Sequence, residues 1–192
     1  MKRFTAIICF LLLSASALAQ NQNGFPLSVG YLGHFGFQPG LKVSTEFSLM
    51  GRDLPNAPKQ WFASPQVGIF TNPGDDTNYL INFEAGFKKN NTSKHRYRAF
   101  TAGLGYMAQS KLVAFAVNLG NGDTDSRERD TRHFALPTLS FEHGWATHKP
   151  LGWYMKYTVG SALGGERETS LTLFIEVGVK FKLGKQKAQN DD

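Results

Sequence analysis

Between Leu27 and Phe37 the odd positions are Leu27, Val29, Tyr31, Gly33, Phe35 and Phe37, and the even ones are Ser28, Gly30, Leu32, His34 and Gly36. A period of two with one apolar face predicts a β-strand. Leu41, Val43, Thr45, Phe47 and Leu49 then alternate with Lys42, Ser44, Glu46 and Ser48. Gln38-Pro39-Gly40 between the two runs suits a type II turn, so the pair reads as a hairpin. The device recurs with a strand from Trp61 to Thr71, the turn Asn72-Pro73-Gly74-Asp75, and a strand in which Tyr79, Ile81, Phe83, Ala85 and Phe87 alternate with Leu80, Asn82, Glu84, Gly86 and Lys88. The polar turn Lys89 to Lys94 closes that pair. A fifth strand carries Phe100, Ala102, Leu104 and Tyr106, a sixth runs from His133 to His143, and a seventh carries Trp153, Met155, Tyr157 and Val159. In the eighth, Leu171, Leu173, Ile175, Val177, Val179, Phe181 and Leu183 all face one way.

These strands, about 10–13 residues long, exceed the 5–6 typical of soluble sheets and match the length of a tilted membrane-crossing strand. Large apolar side chains take one face and small or polar ones the other. The pattern predicts an all-β protein: an eight-stranded antiparallel up-and-down transmembrane β-barrel with a filled polar lumen. The opposite arrangement, a soluble lipocalin-like carrier, would turn the polar face to water and line a ligand cavity with the apolar stripes. With both termini on the periplasmic side, the outer connections are residues 38–40, 72–76, 109–132 and 162–169, and the inner ones 51–60, 89–94 and 144–150. Trp61, Trp145 and Trp153 fall at periplasmic strand ends, where indoles form an aromatic girdle.

The N-terminus adds a destination. Lys2 and Arg3, the apolar run Ala6 to Leu13 and the small-residue site Ala17-Leu18-Ala19 follow secretory order, which predicts a signal peptide over 1–19. A short N-terminal segment (20–26), the barrel (27–183) and a polar tail (184–192) complete the expected organisation. Without the leader the chain carries 19 basic and 15 acidic side chains, a balance too mild to imply nucleic acid. Cys9, the single cysteine, lies in the leader, so the mature chain is expected to hold no thiolate nucleophile or ligand.

Strand parity turns Lys42, Glu46, Glu84, Lys88, Glu142, Lys156, Glu176 and Lys180 into the lumen, four of each sign. Charges in a narrow lumen must pair, here as a ring of carboxylates interleaved with lysines; the rival reading is a wet path that conducts ions. Within loop 109–132, Leu112, Val113, Phe115 and Val117 form an apolar patch, either an outward extension of strand five or an element folded over the mouth, and a candidate contact surface for an extracellular partner. Ser140, Glu142 and His143 suggest a lipid A-modifying hydrolase, but His143 has the opposite parity to Ser140, so no catalytic residue is assigned. His34 reads as a lumen histidine without a second ligand beside it. Asn121 to Ser126 lacks the register of a calcium loop. No cofactor or metal site is expected.

The chain resembles the small outer-membrane β-barrel families of Gram-negative bacteria, loosely the OmpA/OmpX-like eight-stranded group. The likeness lies in the leader, in Pro39-Gly40-Leu41-Lys42 through Glu46, in Gly103-Leu104-Gly105-Tyr106 and in Val179-Lys180-Phe181-Lys182-Leu183, and it covers about residues 25–183. It implies an integral outer-membrane protein in contact with membrane lipid and lipopolysaccharide, folded by the barrel assembly machinery. A non-enzymatic structural or surface-interaction role through loop 109–132 is the expectation, with a small channel, a lipid A hydrolase and the soluble carrier as alternatives.

Overall fold

A computed structural model describes residues 25–35, 38–50, 59–72, 76–118, 123–145, 151–164 and 170–183. The expected signal peptide (1–19), the expected polar tail (184–192) and the turn expected at Asn72–Asp75, in its residues 73–75, fall outside them. Nine strand segments follow in order: β1 (Phe25–His34), β2 (Gln38–Thr45), β3 (Phe47–Met50), β4 (Lys59–Asn72), β5 (Asp76–Asn91), β6 (Arg96–Asn118), β7 (Asp123–Trp145), β8 (Leu151–Ala162) and β9 (Ser170–Leu183). Apart from β2 and β3, each pairs antiparallel with its sequence neighbour; β2 also pairs with β4 and β1 with β9, closing the sheet. β2 and β3 are two pieces of one wall, since both pair with β4 in a single register from Gly40↔Phe70 to Ser48↔Phe62. The break falls at Glu46, whose amide turns to the Pro26 carbonyl of β1 at 3.3 Å. Eight walls therefore enclose the lumen, a number at which side chains just fill the interior.

Side-chain parity divides the barrel into two surfaces. Leu104 and Leu139, on the outer face, are 65% and 67% exposed, whereas Leu136, which points inward, is fully buried. The outer face also exposes Tyr31, Val67, Ile81, Phe83, Val159, Leu171 and Val177, while Ser28, Asn82, Glu84, Thr158 and Glu176 are buried inside. A soluble carrier would show the reverse. From Trp61 to Ile69, β4 spends nine residues in this apolar band, and the row beyond it, Thr71↔Thr77↔Ser110↔Thr131, is polar throughout. Nine residues of tilted strand match the hydrocarbon core of a bilayer.

Two sequence expectations are corrected. Gln38-Pro39-Gly40 is not a turn: pairing runs on to Gly33↔Pro39 and His34↔Gln38, and Phe35, just past β1, takes a positive φ of 48°. Pro39 is tolerated because β4 joins this wall only from Gly40, leaving no second ladder that needs its missing N–H. Residues 109–132 are not a loop either. β6 and β7 stay in register from Arg96↔Trp145 to Asn118↔Asp123, so that only 119–122 connect them and 111–118 extends the fifth wall outward. The alternation that marks a strand is obscured there because a ribbon outside the barrel has no lumen to demand small residues on one face. Phe115 and Val117 lie on this extension, with side chains outside the described set; Leu112 and Val113 are half-buried.

The outer wall makes a direct prediction. Leu104→Arg, at mid-height of the apolar band, should cost about 2–4 kcal/mol of stability in lipid vesicles, while Thr131→Arg in the polar row should cost about 0–1, both read by urea titration of the inserted protein.

Candidate functional site

The lumen holds three tiers. Nearest the end that carries Phe25 and Leu183, called here the terminal end, Glu46 receives Lys88 and Lys180, and Lys180 also donates to Glu142 at 2.5 Å. The Tyr97 hydroxyl donates to Glu142 at 2.6 Å, and its ring lies 4.9 Å from the Lys88 ammonium and 5.0 Å from that of Lys180. At mid-height Lys42 pairs with Glu176, which also accepts the Tyr154 hydroxyl, and Lys156 pairs with Glu84 at 2.6 Å. The eight charges do not form the single interleaved ring that the sequence suggested. Strand tilt sets the four carboxylates at two heights, so the pairs close within each tier.

Glu84 is the most heavily bonded of them. Besides Lys156 it accepts hydrogen bonds from Thr101 (2.7 Å), Ser140 (3.0 Å) and Asn82 (3.1 Å). Four donors saturate a carboxylate that is 1% exposed. The sequence carried no sign of this shell beyond parity, because each donor stands on a different stretch of chain.

The tyrosines enter the lumen over glycines. A Cβ on Gly30 would stand 2.6 Å from the Tyr154 hydroxyl and 2.9 Å from a Glu176 oxygen, and one on Gly144 would stand 2.8 Å from the Tyr97 ring and hydroxyl. Glycine leaves the volume that a large side chain from another strand occupies.

The third tier, toward the end where the β6–β7 ribbon projects, is apolar. Leu32, Phe70, Leu80, Met107, Leu136, Ala162 and Phe174 pack together across the lumen. His34 sits at its edge, Nδ1 2.5 Å from the Gln38 side-chain oxygen, with its ring 5.1 Å from that of Phe70 and 4.9 Å from that of Phe174. Parity had marked Leu32, Leu80 and Phe174 as inward without indicating that they would meet. Between the apolar and middle tiers a cavity of about 10 Å³, lined by Leu32, Lys42, Asn82, Glu84, Leu136 and Phe174 among others, has room for about one water molecule. The lumen is a packed plug.

Ser140 and His143 are on opposite faces of β7. The Ser140 hydroxyl is committed to Glu84 and Thr158 (2.8 Å), and the His143 ring lies outside, 6.1 Å from that of Tyr157. Trp61, Trp145 and Trp153 all lie on the outer face at the terminal end, Trp145 stacked on Trp153 at 3.6 Å and Trp61 6.0 Å from Phe87. Among the described residues no group of three His, Cys, Asp or Glu side chains is placed to hold a metal ion.

Removing one member of a buried ion pair strands the other, at about 3–5 kcal/mol. Glu84→Gln should therefore lower the unfolding free energy by about 3 kcal/mol, and adding Lys156→Met should recover most of it, both read by urea titration in detergent micelles.

No family model matches the chain, and no curated protein sequence does. Solved structures do. Neisserial surface protein A is 12% identical, with 83% of this chain and 96% of that one aligned at a TM-score of 0.51. The outer membrane enzyme PagL is 10% identical, covering 82% of this chain and 99% of its own, also at 0.51. The N-terminal β-barrel domain of Pseudomonas aeruginosa OprF is 14% identical over 83% of this chain and 98% of that one, at 0.49. At these identities the likeness is one of fold, and the fold is that of the small eight-stranded outer-membrane β-barrels.

Proposed function

We propose that this protein resides in the outer membrane, termini toward the periplasm, as a closed, non-conducting and non-enzymatic barrel whose projecting β6–β7 ribbon makes contacts at the cell surface. The observation that carries this reading is the mismatch in wall heights. β5 pairs with β6 only as far as Thr77↔Ser110, and β8 pairs with β7 only from Thr138↔Gly160, apart from the single bridge Ala135↔Leu163. Beyond those points, among the described residues, Lys111–Asn118 and Asp123–Asp130 pair with each other alone. A two-stranded ribbon of this kind offers two unpaired backbone edges, the feature that extended peptide partners and other strands recognise.

The packed lumen argues against a channel. Conduction needs a continuous wet path with binding weak enough to release the ion, and the paired charges and the apolar tier oppose both requirements. An acyl-transfer site on Ser140 and His143 is disfavoured by the wall between them.

Deleting residues 111–131 should leave the heat-shifted gel mobility of a folded barrel intact and abolish binding of intact cells to whatever surface the protein contacts. Loss of the folded band would overturn the modular reading. In planar bilayers the purified protein should give no conductance, and Glu84→Gln and Glu176→Gln should give none either; steady single-channel steps from the unaltered protein would return the channel to first place.

A further inference from the structure

The outer face near the terminal end is ordered in rows. Directly opposite one another on adjacent strands stand Trp61, Phe87, Phe100, Phe141 and Tyr157, an unbroken aromatic row across β4, β5, β6, β7 and β8. Their rings touch in sequence: 6.0 Å from Trp61 to Phe87, 5.6 Å to Phe100 and 4.9 Å to Phe141. One row closer to the terminal end stand Lys59, Lys89, Arg98 and His143, again mutually opposite. Arg96 and Trp145 face each other in the row after that, the guanidinium 5.1 Å over the indole.

Like charges directly opposite on neighbouring strands repel. Here Lys59, Lys89 and Arg98 are consecutive, all exposed, and none forms an ion pair within the described residues. In the two charged tiers of the lumen every lysine and glutamate is paired, whereas this row on the outside is unbalanced and suits an anion from elsewhere. The row also borders a groove of about 570 Å³ whose walls include Lys89, Lys94, Arg96, Arg98, His143 and Trp145, with no carboxylate among its lining residues. Above it lies the aromatic row and then the apolar band. Its geometry is therefore amphipathic: cationic donors at one level, aromatic rings next, and hydrocarbon-like surface beyond. A free anion would use only the first of these; a diacyl lipid with an anionic phosphate headgroup uses all three.

We propose that this groove is a binding site for an anionic phospholipid, its phosphate held between Lys89 and Arg98 with Arg96 and Lys94 alongside, and its acyl chains laid on the aromatic row. The site rests on the reading above that the apolar wall lies in a bilayer with the terminal end toward the phospholipid leaflet. Planar guanidinium groups pair with phosphate through two donors at once, and Lys89 adds a point charge from the adjacent strand.

The test refolds the full chain into bilayers of equal phosphatidylglycerol and phosphatidylcholine, releases it into mild detergent, and measures by native mass spectrometry which lipid stays bound. Retention of phosphatidylglycerol over phosphatidylcholine should be about fivefold or more, falling toward unity in about 0.5 M salt. Lys89→Gln with Arg98→Gln should abolish the preference, while Arg129→Gln, an exposed charge on the projecting ribbon, should leave it unchanged. Equal retention of the two lipids by the unaltered protein, an unchanged preference in the double variant, or the same loss from Arg129→Gln would each overturn the site. Heat-shifted gel mobility separates the two layers of the argument. A protein that inserts and shifts without preferring the anionic lipid defeats this site alone, and one that does not insert defeats the bilayer reading with it. Should the double variant fail to shift, Arg98→Gln by itself and the salt dependence of the unaltered protein decide the matter.

Discussion

Everything inside this barrel depends on cancelling eight charges in a space too narrow for water to do it. Four lysines and four glutamates enter the lumen, and each is paired within its tier. An isolated charge moved into such an interior loses its hydration and recovers it only through close partners with good geometry. The constraint is cooperative. Glu84 is held by residues from β5, β6, β7 and β8, so the walls must already be in register before its shell exists. A one-residue slip of any wall would turn that wall's donors outward and its apolar residues inward. The ion pairs therefore select the register as much as they stabilise it.

Around this core the molecule is layered along its axis. Charge fills the lumen at the terminal end and mid-height, and the apolar cluster of Leu32, Phe70, Leu136 and Phe174 closes it toward the ribbon. The outside follows a different order: polar row, apolar band, aromatic row, basic row. Because successive residues of a strand face opposite ways, a single stretch such as Phe83 to Lys89 contributes to the apolar band, the carboxylate shell, the aromatic row, the ammonium tier and the basic row in turn. One period-two code thus writes two independent surfaces.

The functional consequences separate in the same way. The lumen serves stability and closure, with no vacancy larger than about one water between its apolar and middle tiers. In the proposed reading, outward contacts fall to the two ends: backbone edges on the ribbon at one, and cationic side chains beside tryptophan at the other. Ser140 illustrates the division. In a linear reading it sits near a histidine and a glutamate, yet its hydroxyl belongs to the lumen network and His143 to the outer wall.

The alternation of Leu27 to Phe37, of Tyr79 to Lys88 and of Leu171 to Leu183 was enough by itself to determine strands, their two faces and which charges point inward, because side-chain direction in a strand depends only on parity. Strand length was enough to favour a membrane-crossing barrel. Height along the barrel axis was not legible, since it depends on how far each strand slides against its neighbour. Tertiary structure therefore decided that Lys42 meets Glu176 rather than Glu46, that Tyr97 and Tyr154 cover glycines on other strands, and that 111–118 continues a wall instead of looping. It also decided that Lys59 stands side by side with Lys89 and Arg98, the pair across the β5–β6 hairpin: parity is a local property of the sequence, but register is set by all eight walls closing together.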